Sequence, residues 1–332
     1  MNDIWTIQAA LDWTVGYLER KGDENPRLSA QWLLSEATGL SRIELYANFE
    51  QPLSMEERDV LRAYVTRRGK GEPLQYITGE VGFRHITVKV RPGVLIPRPE
   101  TEVLVSEALA LLPAAPKRVA QHAWPEDDLP PVPWPEGEAG EQRPERTADQ
   151  GVAEDESTPA VASGEPAPEP PELLVADLCT GSGCIACSVA YEHPLARVVA
   201  TDIVPEAVAL ARDNVAALEL GDRVEVLSCD LGEGVDPTLM GAFDLVVSNP
   251  PYVPTAVMDD IPREVAEFEP ALALDGGADG LDVLRRLLPW CRRALKEDEA
   301  ARLAEEAGFS DVRVTADLAG RPRVLTARKR AV

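Results

Sequence analysis

The stretch Leu173-Leu-Val-Ala-Asp-Leu-Cys-Thr-Gly-Ser-Gly183 decides the fold of this chain. Four apolar residues lead to an aspartate, which is typical of a strand buried inside a sheet. A turn with two glycines follows, and an apolar helix is then predicted over residues 184–191. Because glycine has no side chain, the backbone of this turn can approach a ligand closely. The stretch therefore predicts a strand, a ligand-binding loop and a helix in direct succession.

Strands and helices continue to alternate after this loop. Further strands are predicted over residues 197–202, 223–230 and 243–249, and a helix over residues 207–218. The alternation indicates an α/β fold with a parallel sheet, in which ligands bind at the carboxyl ends of the strands.

Two of these strands end in an acid, Asp202 and Asp230. Asp202 lies 21 residues after Gly181, a spacing that suits a carboxylate bound to a ribose diol. The loop lacks the three-glycine spacing of dinucleotide-binding folds and the lysine of phosphate-binding loops. These features favour a nucleoside ligand without a pyrophosphate, such as S-adenosylmethionine. The alternative is that both acids only cap helices.

The tetrapeptide Asn249-Pro-Pro-Tyr252 follows the last of these strands, at the same edge as the glycine turn. The Asn249 amide can accept and donate hydrogen bonds, the prolines stiffen the backbone, and Tyr252 can stack on a flat group. This set suits a planar amide or amidine nitrogen, which is a poor nucleophile because its lone pair is delocalised. Such a nitrogen must be held beside a strong electrophile, for example a sulfonium methyl group. The alternative is a proline-rich turn without a chemical role.

The first 112 residues predict a helical region followed by a hairpin. Apolar residues recur at helical spacing in three segments, which indicates a small bundle. These segments are residues 7–18, 30–37 and 60–65, and Ser54-Met-Glu-Glu57 forms a capping box before the third. A hairpin is predicted over residues 80–90, and a helix over residues 103–112. Between them, Pro97 and Pro99 give Arg98 an extended backbone, which suggests a rigid clip leading to a ligand.

Together these motifs resemble those of a known family. Asp177-x-x-Thr-Gly-Ser-Gly183 followed by Asn249-Pro-Pro-Tyr252 resembles class I methyltransferases that modify planar nitrogens. The helical N-terminal region and Ile96-Pro-Arg-Pro-Glu-Thr-Glu102 make the chain similar to the HemK/PrmC family, the peptide chain release factor N(5)-glutamine methyltransferases. Two further stretches, Phe268-Glu-Pro270 and Ala273-Leu-Asp-Gly-Gly277, support this resemblance.

The resemblance covers nearly all of the chain outside residues 113–172. It implies a class I (Rossmann-like) α/β sheet that uses S-adenosylmethionine. It also implies methylation of the glutamine side-chain amide in the Gly-Gly-Gln motif of class-1 peptide chain release factors. Cofactor-binding residues would be Asp177, Cys179, Thr180, Gly181, Ser182, Gly183, Asp202, Asp230, Leu231 and Asn249. Substrate-binding residues would be Asn249, Pro250, Pro251 and Tyr252, of which Asn249, Pro250 and Tyr252 would be catalytic.

The resemblance also divides the cofactor among these residues. The residues from Asp177 to Gly183 would line its methionine part, Asp202 would hold the ribose, and Asp230 and Leu231 would border the adenine. The Asn249 side chain and the carbonyl of Pro250 would accept the two hydrogens of the glutamine amide. Neither a metal nor a strong general base is expected.

Three features depart from the family pattern. Cys179 stands where the family has glycine, and Leu231 stands where an aromatic residue is common near the adenine. Residues 297–308 predict a helix where the family has a turn and an apolar fifth strand. The fifth strand is therefore expected to be missing, and residues 309–316 and 323–329 supply the last two strands. Repacking, pairing of the fourth strand with the last, and low stability remain open as consequences.

Composition and motifs divide the 332 residues into four parts. They are an N-terminal helical substrate-docking domain (1–79), a hairpin with a connecting helix (80–112), a disordered acidic Pro-rich insertion (113–172) and a methyltransferase catalytic domain (173–332). The insertion has 13 prolines and a net charge of −10, and it has too few large apolar residues to offset the entropy of ordering. Its alternative interpretation is a docking tail for a basic partner.

Charge and composition also limit the location and the partners. A net charge of −24 argues against direct nucleic-acid binding, which requires clustered Lys and Arg. The sequence shows neither a bilayer-spanning apolar run nor a secretory signal, so a cytoplasmic protein is expected. Five cysteines do not suit a disulfide scaffold, and Cys184-Ile-Ala-Cys187 is expected to pack within a buried helix rather than bind a metal. We expect a monomer whose helical domain docks the release factor.

Two other functions are compatible with the motifs. An adenine-N(6) nucleic-acid methyltransferase shares the Asn-Pro-Pro-Tyr chemistry but would need a basic groove. A catalytically impaired release-factor-binding protein would result if the missing strand prevented turnover. Binding of S-adenosylmethionine separates this second alternative from an enzyme.

Overall fold

A computed structural model describes residues 5–114, 171–295, 309–316 and 322–329. The predicted disordered insertion therefore lies almost wholly outside the described residues, as does the helix predicted over residues 297–308. In the described part of the chain, no helix is both long enough and apolar enough to cross a lipid bilayer.

Five helices form the N-terminal bundle, and local signals set their ends. They are α1 (Ile7–Arg20), α2 (Pro26–Thr38), α3 (Arg42–Ala47), α4 (Met55–Arg68) and α5 (Leu74–Thr78). The predicted capping box is present, since Ser54 and Glu57 each accept a hydrogen bond from the other's backbone N–H. α2 ends at Gly39, whose φ of 69° lies in the left-handed region. The apolar faces of the helices share one core.

A hairpin and one helix connect the bundle to the larger sheet. β1 (Glu80–Phe83) and β2 (Ile86–Lys89) pair antiparallel, and α6 (Pro99–Leu111) follows. The predicted start of this helix at residue 103 is wrong. Pro99 supplies the φ of a first helical residue while Arg98 before it is extended, so the helix begins four residues earlier. Glu100 and Glu102 lie in the first turn, where they complement the positive end of the helix.

The central sheet has the α/β architecture predicted from the sequence. Its elements are β3 (Leu173–Leu178), α7 (Cys184–Glu192), β4 (Ala196–Asp202), α8 (Pro205–Ala217), β5 (Val224–Ser228) and β6 (Leu245–Ser248). The four strands are parallel in the order β5-β4-β3-β6. The connection reverses direction beside β3, so loops on both sides of this strand diverge and leave a crevice at its carboxyl end.

Beyond β6 the chain departs from a continuous parallel sheet. α9 (Arg263–Phe268) and α10 (Asp282–Ala294) are followed by β7 (Phe309–Ala316) and β8 (Pro322–Lys329). β7 and β8 lie where the last two strands were predicted, but they pair antiparallel as a separate two-stranded sheet. Among the described residues, the position beside β6 holds one isolated parallel bridge, between Phe243 and Leu295. The described sheet therefore lacks a fifth parallel strand, and the final strands have not filled its place.

An apolar cluster covers the β6 side of the sheet. Trp290 of α10 packs on Phe243 with ring centroids 5.8 Å apart, and its indole N–H donates to the carbonyl of Gly232 at 3.1 Å. Trp290 and Phe243 are both buried. This packing attaches α10 to the sheet, together with a hydrogen bond from the Phe243 N–H to the carbonyl of Ala294 at 3.1 Å.

Candidate active site

One cavity of about 210 Å³ opens at the carboxyl ends of β3, β4 and β6. Two walls enclose it. The strand-end wall consists of residues 179–182, 184–185, 202–204, 207, 230–231, 249 and 251, and the cross-chain wall is drawn from residues 93–101 and 270–286. The first follows directly from the parallel sheet, whereas the second combines the segment before α6 with the region around α10.

The glycine turn of the strand-end wall is supported from beneath by Asp177. Its Oδ2 accepts hydrogen bonds from the Thr180 hydroxyl at 2.6 Å and from the Ala186 N–H at 3.1 Å. Oδ1 has no hydrogen-bond partner among the described residues. Burial raises the pKa of Asp177 to about 7. Asp177 lies behind the loop and does not line the cavity, so its direct contribution is to the shape of the loop.

Asp202 lies at the cavity wall and joins the loop to β4. Oδ2 accepts the N–H of Gly181 at 2.8 Å, and Oδ1 accepts the N–H of Val204, the residue that caps α8, at 2.9 Å. Burial raises the pKa of Asp202. Each carboxylate oxygen has a second lone pair. Asp202 therefore holds the loop and the residue before α8 in place without capping that helix, and it can still accept hydrogen bonds from a diol.

Two glycines and one cysteine determine the backbone conformation of the loop, because each has a positive φ. Gly183 has a φ of 80°, and a Cβ atom there would lie 3.1 Å from the Cβ of Ala211. Gly181 has a φ of 57°, and Cys179 has a φ of 61°, also in the left-handed region. The backbone at Cys179 thus favours glycine, the residue that the resemblance leads us to expect there. The cysteine is accommodated with a strained backbone.

Asp230 and Leu231 lie at the far end of the same wall. Asp230 accepts a hydrogen bond from the Arg286 guanidinium at 2.5 Å, and Arg286 also lines the cavity. Leu231 is buried, packs with the cluster around Trp290, and has a φ of 47°. This end of the cavity is therefore closed by an aliphatic side chain and an ion pair.

Asn249 follows β6 directly beside the glycine turn. Leu178 and Ser248 are paired in the register of β3 and β6, so Cys179 and Asn249 leave the sheet as neighbours. Asn249 and Pro251 line the cavity, whereas Pro250 and the half-exposed Tyr252 do not.

The backbone after Asn249 is held by a glycine-rich segment. Val253 and Asp275 form a parallel bridge, and a Cβ atom at Gly280 would lie 2.4 Å from the Tyr252 carbonyl oxygen. A Cβ atom at Gly276 would lie 2.8 Å from the Tyr252 Cα. This close approach gives a physical reason for the glycines after Leu274.

The structure brings most of the predicted site residues to one cavity. Those that line it are Cys179, Thr180, Gly181, Ser182, Asp202, Asp230, Leu231, Asn249 and Pro251. Asp177, Gly183, Pro250 and Tyr252 lie outside its lining.

The residues assigned from the sequence omitted the cross-chain wall. Arg98 and Thr101 line the cavity, and Arg98 forms an ion pair with the buried Glu269. The Pro-Arg-Pro motif and Phe268-Glu-Pro270 were the signals for these residues, but nothing in the sequence indicated that they meet.

The C-x-x-C pair takes a packing role. Cys184 and Cys187 are buried in the main core, as predicted. Burial raises the pKa of Cys184 to about 12, so the thiol stays protonated at neutral pH. Within the described ranges, no group of three His, Cys, Asp or Glu side chains is placed to hold a metal ion.

The cavity suits S-adenosylmethionine in several respects. The glycine turn allows close approach of a ligand, Asp202 can accept from a ribose, and the aliphatic end at Leu231 can take a flat base. These groups thus fit the nucleoside predicted from the sequence.

Comparisons with known proteins show which family the chain resembles over most of its length. Residues 9–79 match the family model of the PrmC N-terminal domain, and residues 166–268 match that of the methyltransferase small domain. A release factor glutamine methyltransferase of Geobacter sulfurreducens is 41% identical, covering 86% of this chain and 79% of that protein. Its counterpart in Rhodopirellula baltica is 34% identical over 98% of this chain and 97% of its own length. The one in Koribacter versatilis is 33% identical over 98% and 99%.

Proposed function

Because this chain belongs to the release factor glutamine methyltransferase family, we propose that it methylates the side-chain amide of a glutamine in class-1 peptide chain release factors. The Gly-Gly-Gln motif of those factors is the proposed substrate segment. Methyl transfer breaks a sulfur–carbon bond, forms a nitrogen–carbon bond, and releases one amide proton to solvent. S-adenosylmethionine supplies an electrophilic methyl group when it is bound.

The residues of this chain provide placement rather than acid–base chemistry. We assign Asp202 to the ribose, the glycine turn to the methionine part, and Asp230 with Leu231 to the adenine. The Oδ1 atom of Asn249 and the carbonyl of Pro250 accept the two amide hydrogens of glutamine. Accepting both hydrogens fixes the orientation of the nitrogen, which otherwise reacts poorly.

The position of Asn249 carries this proposal. The side chain lines the same cavity as the glycine turn and Asp202, because β6 and β3 are adjacent. An amide acceptor beside a nucleoside-binding loop is the arrangement that methylation of a planar nitrogen requires.

The N-terminal bundle offers a surface for the body of the release factor, and we assign docking to it. Ile43 is 82% exposed, and the neighbouring Arg42 guanidinium lies 5.5 Å from the centre of the half-exposed Trp32 ring. Gln31 accepts from Arg42 at 2.7 Å and donates to the Tyr46 hydroxyl. These contacts join the exposed side chains of α3 to those of α2.

Methylation of a purified release factor tests the reaction. The protein, a class-1 factor and S-adenosylmethionine with a labelled methyl group are incubated, and mass spectrometry locates the label. We expect it on the glutamine of Gly-Gly-Gln and expect none in a factor with Gln→Ala at that position. Label elsewhere, or label on adenine when nucleic acid is supplied instead, would contradict the proposed substrate. Binding of S-adenosylmethionine without transfer would favour the catalytically impaired alternative.

A substitution on the bundle surface tests docking. Ile43→Asn should raise KM for the intact factor and leave a short Gly-Gly-Gln peptide unaffected, because only the intact factor reaches α3. Tyr191→Asn, a half-exposed aromatic on α7, is the matched control. An equal effect of Ile43→Asn on factor and peptide would remove α3 from docking.

A further inference from the structure

Thr101 and Asn249 meet at the cavity from opposite walls. The Nδ2 atom of Asn249 lies 3.5 Å from the Oγ1 atom of Thr101, the long end of the range for a hydrogen bond. Both residues line the cavity, and Thr101 is only 8% exposed. Hydrogen bonds of this kind are often long without substrate and tighten when it binds.

A buried carboxylate fixes the segment that carries Thr101. One oxygen of Glu269 pairs with the Arg98 guanidinium, and the other accepts the backbone N–H of Ile96 at 3.2 Å. The Glu269 side chain is 1% exposed, so moving the segment would leave a buried charge without its partners. The N–H of Thr101 in turn donates to the carbonyl of Arg98 at 2.9 Å.

Two residues of the bundle, Tyr76 and Arg68, further hold the carboxylate and the segment. The Tyr76 hydroxyl donates to the carbonyl of Val94 at 2.7 Å. Arg68 pairs with Asp23 at 2.6 Å and with Glu264 of α9 at 3.0 Å. Glu269 directly follows α9. The bundle therefore stabilises both parts of the cross-chain wall, the segment before α6 and the segment after α9.

The orientation of the Asn249 amide decides whether it can bind substrate. Only its Oδ1 end accepts a hydrogen bond, whereas its Nδ2 end donates. The nitrogen of a glutamine amide offers only hydrogens, so Oδ1 must face it and Nδ2 must find an acceptor elsewhere. The Thr101 hydroxyl is the neighbouring group that the structure places beside Nδ2.

We propose that Thr101 is a positioning residue that accepts a hydrogen bond from Nδ2 of Asn249, presents Oδ1 to the substrate amide, and is itself held by the Arg98–Glu269 pair. This inference rests on the proposed function. Thr101 acts through Asn249 and does not contact the reacting atoms.

Replacement of the hydroxyl by a methyl group tests the inference. Thr101→Val should lower kcat for release factor methylation about tenfold, the loss of one modest hydrogen bond, with the Kd of S-adenosylmethionine within twofold of wild type. Thr101→Ser should restore most of kcat. Thr66→Val is the matched control, because the exposed Thr66 hydroxyl donates only to Arg62 within its own helix, at 2.7 Å.

A second variant tests the supporting pair. Glu269→Gln should lower kcat, and in the Thr101→Val background it should lower kcat less than it does alone, since both act on Asn249. Wild-type kcat in Thr101→Val would overturn the inference, as would a Thr101→Ser variant as slow as Thr101→Val. Additive losses in the double variant would also overturn it. Absence of transfer by the wild-type protein would instead contradict the proposed function.

Discussion

The two walls of the cavity are fixed by different kinds of interaction. The strand-end wall is fixed by the backbone register of β3 and β6 and by hydrogen bonds within short loops, such as that from Gly181 to Asp202. The cross-chain wall is fixed by side chains far apart in sequence, above all Arg98 and Glu269, 171 residues apart. The first can therefore form once the sheet folds, whereas the second requires the bundle, α6 and α9 to be in place together.

This difference predicts separable effects on cofactor binding and on catalysis. Changes in the strand-end wall should alter the affinity for S-adenosylmethionine, while changes in the cross-chain wall should alter substrate positioning and stability. Asn249 is the point at which the two walls meet.

The largest effect is expected at that meeting point. Asn249→Ala removes the amide that accepts a substrate hydrogen, so kcat should fall about 100- to 1,000-fold, as for other preorganised groups. The Kd of S-adenosylmethionine, measured by calorimetry, should change less than fivefold. Turnover near that of wild type would show that Asn249 has no role in methyl transfer. It would also contradict the expected difference between the effects of the two walls.

A stability effect follows at the cross-chain wall. Glu269→Ala leaves Arg98 and the Ile96 N–H without their partner, and we expect a loss of about 2–3 kcal/mol in the free energy of unfolding, because Arg98 is partly exposed. Urea denaturation measures it. Glu267→Ala is the control, since Glu267 pairs with Arg263 at the surface and should change stability little. Equal losses in both variants would show that the Glu269 contacts contribute nothing special.

Titration of Asp177, behind the glycine turn, should change the stability of the protein and its affinity for S-adenosylmethionine in opposite directions. The raised pKa of Asp177, about 7, means that the folded protein retains a proton that the unfolded chain loses near pH 4. The unliganded protein should therefore become more stable as pH falls from 7 to 4. S-adenosylmethionine should bind about tenfold more weakly at pH 6 than at pH 8, because Thr180 and Ala186 donate to the ionised form.

Thermal unfolding and calorimetry across this pH range measure both trends. Asp177→Asn should flatten the two curves, since its amide does not titrate. If the affinity of the wild-type protein stays constant between pH 6 and pH 8, ionisation of Asp177 does not affect binding of S-adenosylmethionine.

The smallest effect concerns the strained backbone of the glycine turn. Cys179→Val should lower the free energy of unfolding by about 1 kcal/mol, because a β-branched side chain disfavours a φ of 61° more than cysteine does. Cys179→Gly should be at least as stable as wild type. Thermal melting of both variants gives the comparison, and a more stable valine variant would contradict the assignment of strain.

The sequence predicted the elements of the central sheet because local periodicity and turn residues determine them. The run from Leu173 to Gly183 is a strand, a loop and a helix in the structure, and Asp202 meets that loop as its spacing suggested. Membership of the family followed from motifs that lie in these local units.

Other features could not be predicted because they depend on distant parts of the chain. Nothing near Glu269 indicates that it pairs with Arg98. The early start of α6 at Pro99 was missed because the prolines were assigned to extended backbone alone. The prediction of a missing fifth strand concerns residues 297–308, which lie outside the described residues. The single bridge from Phe243 to Leu295 in the described sheet depends on packing of Trp290.

The two residues that border the acidic segment, Pro113 and Glu172, contact residues that are close together in the fold. The carbonyl of Pro113 lies 2.9 Å from the Nε2 atom of His193, and Glu172 accepts a hydrogen bond from Arg197 at 3.2 Å. His193 and Arg197 lie at the start of β4. The chain therefore enters and leaves the acidic segment at the amino ends of the strands. Closing a loop between fixed ends becomes only logarithmically harder as it lengthens. The length of the acidic segment can therefore change during evolution, and circular permutation can place new termini there. Neither change disturbs the cavity at the carboxyl ends of the strands.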